Sequence, residues 1–337
     1  MNTFFHESVT KEIDSRVRTL PPQKLTARYI ANIYRPSNPL ATKYEYYFYT
    51  EHASIEAFMF GQASANLPIV GERGGKVSHD GYKFGNQIMF TMEEYDLMNA
   101  SAKTGLRPKL PDQLDRRLNI AKNAHIKAEN SNFFLGNTKY NMKGLLNFSE
   151  VVTYNGVTKT YAVKKEDVAE GSTGATAAAR KSWANKTDKE IELDIQTAYE
   201  DITGNLIDGQ EFFVPNTLII PSKYKARFTL PKDSANNVSL FEIIQKTGLF
   251  QNIYFMNEVS ESYTKGILKN DSNLDTDCFC MLDNRSEILE LGILREITPE
   301  YRFTQTNEVG TKLIPVLSAT GGCMLYFPQA VYVGTAI

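Results

Sequence analysis

The chain has 337 residues, 42% hydrophobic and 23% charged, a balance that suits a folded globular protein and excludes a largely disordered one. Its formal net charge is −2, which excludes a global positive field able to gather nucleic acid or an anionic membrane surface. The length accommodates two domains, or one large domain carrying insertions.

From the N-terminus, residues 1–42 are polar and punctuated by Pro21, Pro22, Pro36 and Pro39. They read as an extended arm with a short helix around Lys24–Tyr34. The opening Met1–Asp14 lacks a basic region followed by an apolar block, so no secretory signal is expected. Tyr44 to Tyr49 is an aromatic-rich run with strong β propensity. Two further β-like runs, Ser54–Phe60 and Lys83–Thr91, are separated by a stretch carrying Gly61, Gly71, Gly74, Gly75 and Gly81. A two-stranded ribbon is marginal in water by itself. Residues 51–86 therefore read as a projecting arm with a glycine-rich tip, stabilised by another surface.

A short helix is expected over Met92–Lys103, closed by Gly105 and Pro108. Pro111 then opens a long helix, since proline suits a first turn. Leu114, Leu118, Ala121, His125 and Ala128 form one stripe along it. Carried to Leu135 the helix would be ~36 Å long at 1.5 Å per residue. Gly136 stops it.

Beyond it, Val151–Tyr154 and Thr158–Val163 are β-prone, and Gly171–Ala179 reads as a surface loop of low complexity. Thr187-Asp188-Lys189-Glu190 is a capping box opening a second helix, with Ile191, Ile195, Ala198 and Ile202 on its apolar face and Gly204 at its end. Phe212–Pro221 is expected as a strand, Ser239–Gly248 as a helix, and Ile253–Met256 and Cys278–Leu282 as short strands. Leu289, Leu291, Ile293 and Ile297 share one parity, as in a strand with one buried face. Cys323–Phe327 and Ala330–Val333 are apolar on both faces, which suits interior strands. The last segment reads as a return to the helical girder, so early and late parts share one mixed domain and the middle forms a second.

Motifs for chemistry are tested in turn and fail. Gly71-Glu72-Arg73-Gly74-Gly75-Lys76-Val77 has Val70 where a phosphate loop needs glycine and Val77 where it needs a hydroxyl. Asp271, Asn273 and Asp275 resemble a calcium loop, but Thr276 and Leu282 replace its glycine and bidentate glutamate. The histidines, His6, His52, His79 and His125, show no helical zinc spacing. His125 reads as a packing residue. The cysteines, Cys278, Cys280 and Cys323, are odd in number and lack a second pair at zinc spacing, so buried thiols are expected. Paired carboxylates, Glu12 with Asp14 and Glu93 with Glu94, suit helix starts or solvated faces. No run approaches the ~18 apolar residues of a membrane span. No catalytic, cofactor-binding or metal-binding residue is expected, and a soluble chain made in a cytoplasm is.

The order of parts resembles the HK97-fold major capsid proteins of tailed bacteriophages. Gly136–Phe148 carries the likeness first, with glycine at 136 and Gly144-Leu145-Leu146-Asn147 eight residues on. Val214-Pro215-Asn216-Thr217-Leu218-Ile219-Ile220-Pro221 and the tail Gly321-Gly322-Cys323-Met324-Leu325-Tyr326-Phe327-Pro328 carry the rest. The resemblance covers roughly 45 to 337. It implies an α+β fold with an N-terminal arm over 1–50 and an extended loop over 51–88. A peripheral domain with the long helix would take 89–147 and 286–337, and an inserted axial domain 148–285.

The resemblance also implies self-assembly into hexamers and pentamers of an icosahedral head enclosing double-stranded DNA without sequence-specific binding. Scaffolding, portal and decoration proteins are candidate further partners, and no membrane or cofactor is implied. Some relatives cross-link through a loop lysine. Lys76 and Lys83 lie in this region, but no motif here carries that activity over. Two alternatives stay open: an encapsulin-like nanocompartment shell, and an enzyme whose site is scattered along the chain.

Overall fold

The computed structural model describes residues 26–38, 43–52, 71–91, 93–94, 111–154, 157–204, 206–207, 210–211, 213–230, 238–267, 276–301, 305–306 and 311–337. A short helix α1 (Ala27–Ile30) and strand β1 (Asn32–Tyr34) precede the ribbon strands β2 (Lys43–His52) and β3 (Gly71–Asp80). Strand β4 (Tyr82–Phe90) and the long helix α2 (Pro111–Leu135) follow. The hairpin β5 (Ser149–Tyr154) and β6 (Val157–Ala162) leads to β7 (Lys164–Asp167), α3 (Ala177–Lys181) and α4 (Asp188–Thr203). A small hairpin, β8 (Leu206–Ile207) with β9 (Gln210–Glu211), precedes β10 (Thr217–Pro221), α5 (Lys225–Thr229), α6 (Leu240–Lys246), β11 (Asn252–Met256) and α7 (Glu261–Ile267). The chain closes with β12 (Phe279–Leu282), β13 (Leu289–Pro299), β14 (Gln305–Thr306), β15 (Lys312–Leu325) and β16 (Val331–Thr335).

Two larger sheets organise these elements into an α+β fold. In the first, the order is β1-β13-β15-β14, with β4 also on β15. Strand β4 runs antiparallel to β15 from Tyr82↔Thr320 to Phe90↔Lys312. Helix α2 lies on this sheet, where Leu118 and Ala121 meet Ile88, Phe90 and Val316 in a compact apolar cluster. The second sheet has the order β11-β10-β12-β16-β7. Strands β10, β12 and β16 are buried along their whole lengths, as expected of strands covered on both faces. Trp183 stacks on Phe279 with ring centroids 5.1 Å apart and also meets Tyr224 and Phe228. The last two long strands thus part company: β15 carries the girder helix, and β16 completes the second sheet.

Local signals hold where the hydrogen bonds are local. Thr187 accepts from the Glu190 N–H while Glu190 accepts from the Thr187 N–H, closing the capping box in front of α4. Ser239 caps α6 by accepting the Glu242 N–H on its side-chain oxygen. Gly136 takes φ +69° just past α2, in the left-handed region.

Several expectations are corrected. The helix around Lys24–Tyr34 is only one turn, because Asn32–Tyr34 is drawn into a parallel ladder with Glu290–Gly292. Gly71, Gly74 and Gly75 form no tip. They lie in β3, in register with His52, Tyr49 and Phe48. Glycine has little strand preference of its own, so the backbone ladder with β2 decides the conformation here.

The loop at Gly171–Ala179 gives way at Ala177 to α3, capped by Thr176. The strand expected from Phe212 begins only at Thr217. Leu289, Leu291 and Ile293 are buried together in the main core, but Ile297, beyond register shifts along β13, packs with the Leu118 cluster instead. Of Met92–Lys103, Glu93 and Glu94 are helical, and the rest lies outside the described residues. So do Ser54–Phe60 and the Asp271, Asn273 and Asp275 turn.

Candidate functional site: a ribbon and its anchorage

Strands β2 and β3 pair with each other from Lys43↔Asp80 to His52↔Gly71 and, among the described residues, with no third strand. Ten residues per strand at ~3.4 Å rise make a ribbon on the order of 30 Å long. It is continuous with the body, because only Gly81 separates β3 from β4.

The ribbon is held at its base, at one rung. Tyr44 and His79 are cross-strand partners. The Tyr44 hydroxyl lies 3.0 Å from that of Tyr326, which donates to the Glu290 carboxylate at 2.5 Å. The Tyr44 ring also meets Tyr34 at 4.6 Å. On the other strand, His79 Nδ1 lies 3.4 Å from Glu150 Oε1 on β5, and its ring meets Phe148 at 6.4 Å. Burial and the neighbouring Tyr44 and Glu290 raise the Tyr326 hydroxyl far above its ordinary range, so it remains a donor. One rung is therefore fastened to the first sheet through Tyr326 and to the β5 hairpin through Glu150.

Helix α2 is tied to the first sheet and to α1. His125 reaches Ser318 Oγ at 2.7 Å, the Val316 carbonyl at 3.2 Å and Asn86 Oδ1 at 3.3 Å. Burial lowers its basicity, consistent with a packing role. Arg117 binds Glu94 through both guanidinium nitrogens, at 3.0 and 2.7 Å, and covers the Phe90 ring. Farther along, Arg28 of α1 pairs with Glu129 at 2.7 Å and Glu296 at 3.0 Å.

The end of α2 is locked by the Gly136–Asn147 segment. Leu145 and Leu146 donate to the Phe133 and Phe134 carbonyls at 2.7 and 2.9 Å. A Cβ on Gly136 would sit 2.3 Å from the Met142 carbonyl oxygen, and one on Gly144 would sit 2.3 Å from the Gly136 nitrogen. Glycine is required at both positions, which accounts for their spacing.

The residues singled out for chemistry are not brought together. Cys278, Cys280 and Cys323 are buried and free, and burial pushes their thiols up, Cys278 to about 12, which keeps them protonated and unreactive. Lys76 lies within β3 opposite Tyr47, and Lys83 lies on β4 opposite Ala319. Among the described residues no group of three His, Cys, Asp or Glu side chains could hold a metal ion, and no helix is long and apolar enough to cross a membrane. The Tyr44, Tyr326 and Glu290 cluster and the His79–Glu150 contact escape sequence reasoning because their members lie far apart in the chain. The aromatic run at Tyr44 was the only sequence signal of this anchorage.

Solved structures share this fold. The capsid of Myoviridae phage XM1 superposes with a TM-score of 0.69 at 11% identity, covering 98% of each chain. A structure of Gordonia phage Cozz gives 0.56 at 12%, covering 96% of this chain and 90% of that one. An empty GTA particle capsid gives 0.55 at 12%, covering 98% and 96%. At such identities the likeness is one of fold. No curated protein matches in sequence. A family model described as major capsid protein matches residues 56–337, most of the chain. With that match over a ribbon-bearing, girder-helix fold, the chain belongs to the major capsid protein family.

Proposed function

We propose that copies of this capsid protein assemble into hexamers and pentamers that close an icosahedral head around double-stranded DNA. The ribbon is the extended loop that lies on a neighbouring copy. The observation carrying this reading is that β2 and β3 find no third strand among the described residues, whereas a two-stranded ribbon is marginal unless another surface covers it.

The division of labour follows as an N-terminal arm over 1–50, an extended loop over 51–88, a peripheral domain over 89–147 and 286–337, and an axial domain over 148–285. Sheet membership refines it: the ribbon starts at Lys43, and β16 joins the axial sheet. The chain works as a structural protein without a catalytic step, built in the host cytoplasm. Scaffolding, portal and decoration proteins are candidate partners. A net charge of −2 suits a wall that encloses DNA without adsorbing it, since each neutralised phosphate would add counterion-release affinity.

Electron microscopy of particles from the full chain, with a nuclease-protection assay, tests this. Closed shells with fivefold and sixfold clusters and protected DNA are expected. Shells holding a protein cargo in place of DNA would reassign the chain to a nanocompartment. A monomer under all conditions would overturn the assembly reading.

A further inference from the structure

The ribbon has two chemically different faces. Residues opposite one another in an antiparallel ladder share a face, and the faces alternate along each strand. One face therefore carries the rungs Tyr44↔His79, Tyr46↔Val77 and Phe48↔Gly75. The other carries Lys43↔Asp80, Tyr49↔Gly74 and Glu51↔Glu72.

The base of the ribbon shows which face meets protein. On the first face, Tyr44 is half-buried against Tyr326 and Tyr34. His79 across from it is 10% exposed and lies against Phe148 and Glu150. One residue away, on the second face, Lys43 and Asp80 pair at 3.4 Å with side chains 64% and 52% exposed.

Farther out the same division holds in composition. The first face continues with Tyr46, Val77 and Phe48, and no acidic residue occurs on it along the ladder. Apolar rungs gain free energy by leaving water. The second face reaches Glu51 opposite Glu72, two carboxylates on one rung. Like charges directly opposite destabilise a ladder, and covering the rung would add the desolvation cost of both. That face is tolerated only in water.

We infer that the ribbon docks one-sidedly: the Tyr46, Phe48 and Val77 face lies on the body of a second copy, and the Glu51–Glu72 face stays in solvent. Every copy carries one such face, so its cover has to be present in equal number. Another copy of the chain meets that condition without any further component, and head-to-tail contacts of this kind close into rings. The inference rests on the ribbon being the arm that reaches a neighbouring copy, and it adds which face the arm uses.

Phe48 and Tyr49 make a matched pair for the test. They are adjacent aromatic residues, each opposite a glycine, on opposite faces. Phe48→Cys and Tyr49→Cys are each assembled into particles and labelled with a maleimide. The native thiols of Cys278, Cys280 and Cys323 are buried, which keeps the background low. In dissociated subunits the two variants should label alike. In particles Phe48→Cys should label at least about tenfold more slowly, while Tyr49→Cys stays within about twofold of its subunit rate.

Charge gives a second readout. Phe48→Lys should fold with the wild-type circular dichroism spectrum and build no particles, and Tyr49→Lys should assemble normally. The reversed pattern, or protection of both sites in particles, would overturn one-sided docking and leave the arm reading intact. Both sites labelling in particles as fast as in subunits would overturn the arm reading, and the inference with it.

Discussion

Asn147 closes the end of the long helix against Leu135. Its side-chain amide donates to the Leu135 carbonyl at 2.8 Å while its side-chain oxygen accepts the Gly144 N–H at 2.9 Å. A helix leaves its last carbonyls without intrahelical partners, and this one side chain satisfies one of them and fixes the returning loop. Asn147→Ala should destabilise the subunit by about 1–3 kcal/mol, the cost of leaving buried polar groups unsatisfied. Denaturant unfolding of the two proteins gives the difference directly.

Leu118 sits in the small cluster that joins α2 to the first sheet and is only 8% exposed. Leu118→Asp would place an unpaired charge among Ile88, Phe90 and Val316. A loss of several kcal/mol is expected, and Leu118→Ala should lose about 2–4 kcal/mol through the cavity alone. Thermal scans rank the three proteins, and an Asp variant as stable as the wild type would show that this face is not buried.

Lys186 and Asp194 form an ion pair inside the second domain, 2.5 Å apart, with Trp183 Nε1 donating to the same carboxylate oxygen at 2.8 Å. Both side chains are almost wholly buried. Removing either charge alone strands the other, and a loss of about 3–5 kcal/mol is expected for Lys186→Met or Asp194→Leu. The double variant should lose less than either single one, since no unpaired charge then remains. A double-mutant cycle by chemical denaturation measures this coupling.

Glu190 links stability to pH at the start of α4. Backbone N–H groups of Thr187 and Ser172 hold its carboxyl down from 4.5 to about 2. A depressed carboxylate contributes stability that is complete above its unfolded value and is lost as pH falls through the folded one. The start of α4 should therefore fray on acidification from 4.5 toward about 2. Hydrogen exchange of the Ile191 amide region checks this, and Glu190→Gln should show the weaker cap at every pH in that window.

Replacing residues 53–70 by a two-residue Asn-Gly turn between His52 and Gly71 leaves the described ladder of β2 and β3 in place. The variant should fold with the wild-type circular dichroism spectrum and fail to build normal shells. Size-exclusion chromatography and microscopy decide the outcome, and normal particles would show that residues 53–70 are dispensable for assembly.

The ends of the longer helices were legible in the sequence. Pro111 and Gly136 bound α2, the capping box at Thr187 opens α4, and Ser239 starts α6, because a helix closes its hydrogen bonds within four residues and writes its ends locally. The resemblance carried by Gly136–Asn147 was also legible, and the structure supplies its cause in the two glycines that let the loop touch the helix end. Strand pairing was not. Glycine-rich β3 reads as a loop until β2 supplies its ladder, β13 loses its alternation to bulges set by β15, and β16 leaves its predecessor for the other sheet. The anchorage at Tyr44 and His79, and the Lys186–Asp194 pair, belong to the same class. Sheet pairing, burial and the protonation they impose depend on groups brought together from distant parts of the chain, so only the tertiary structure could decide them.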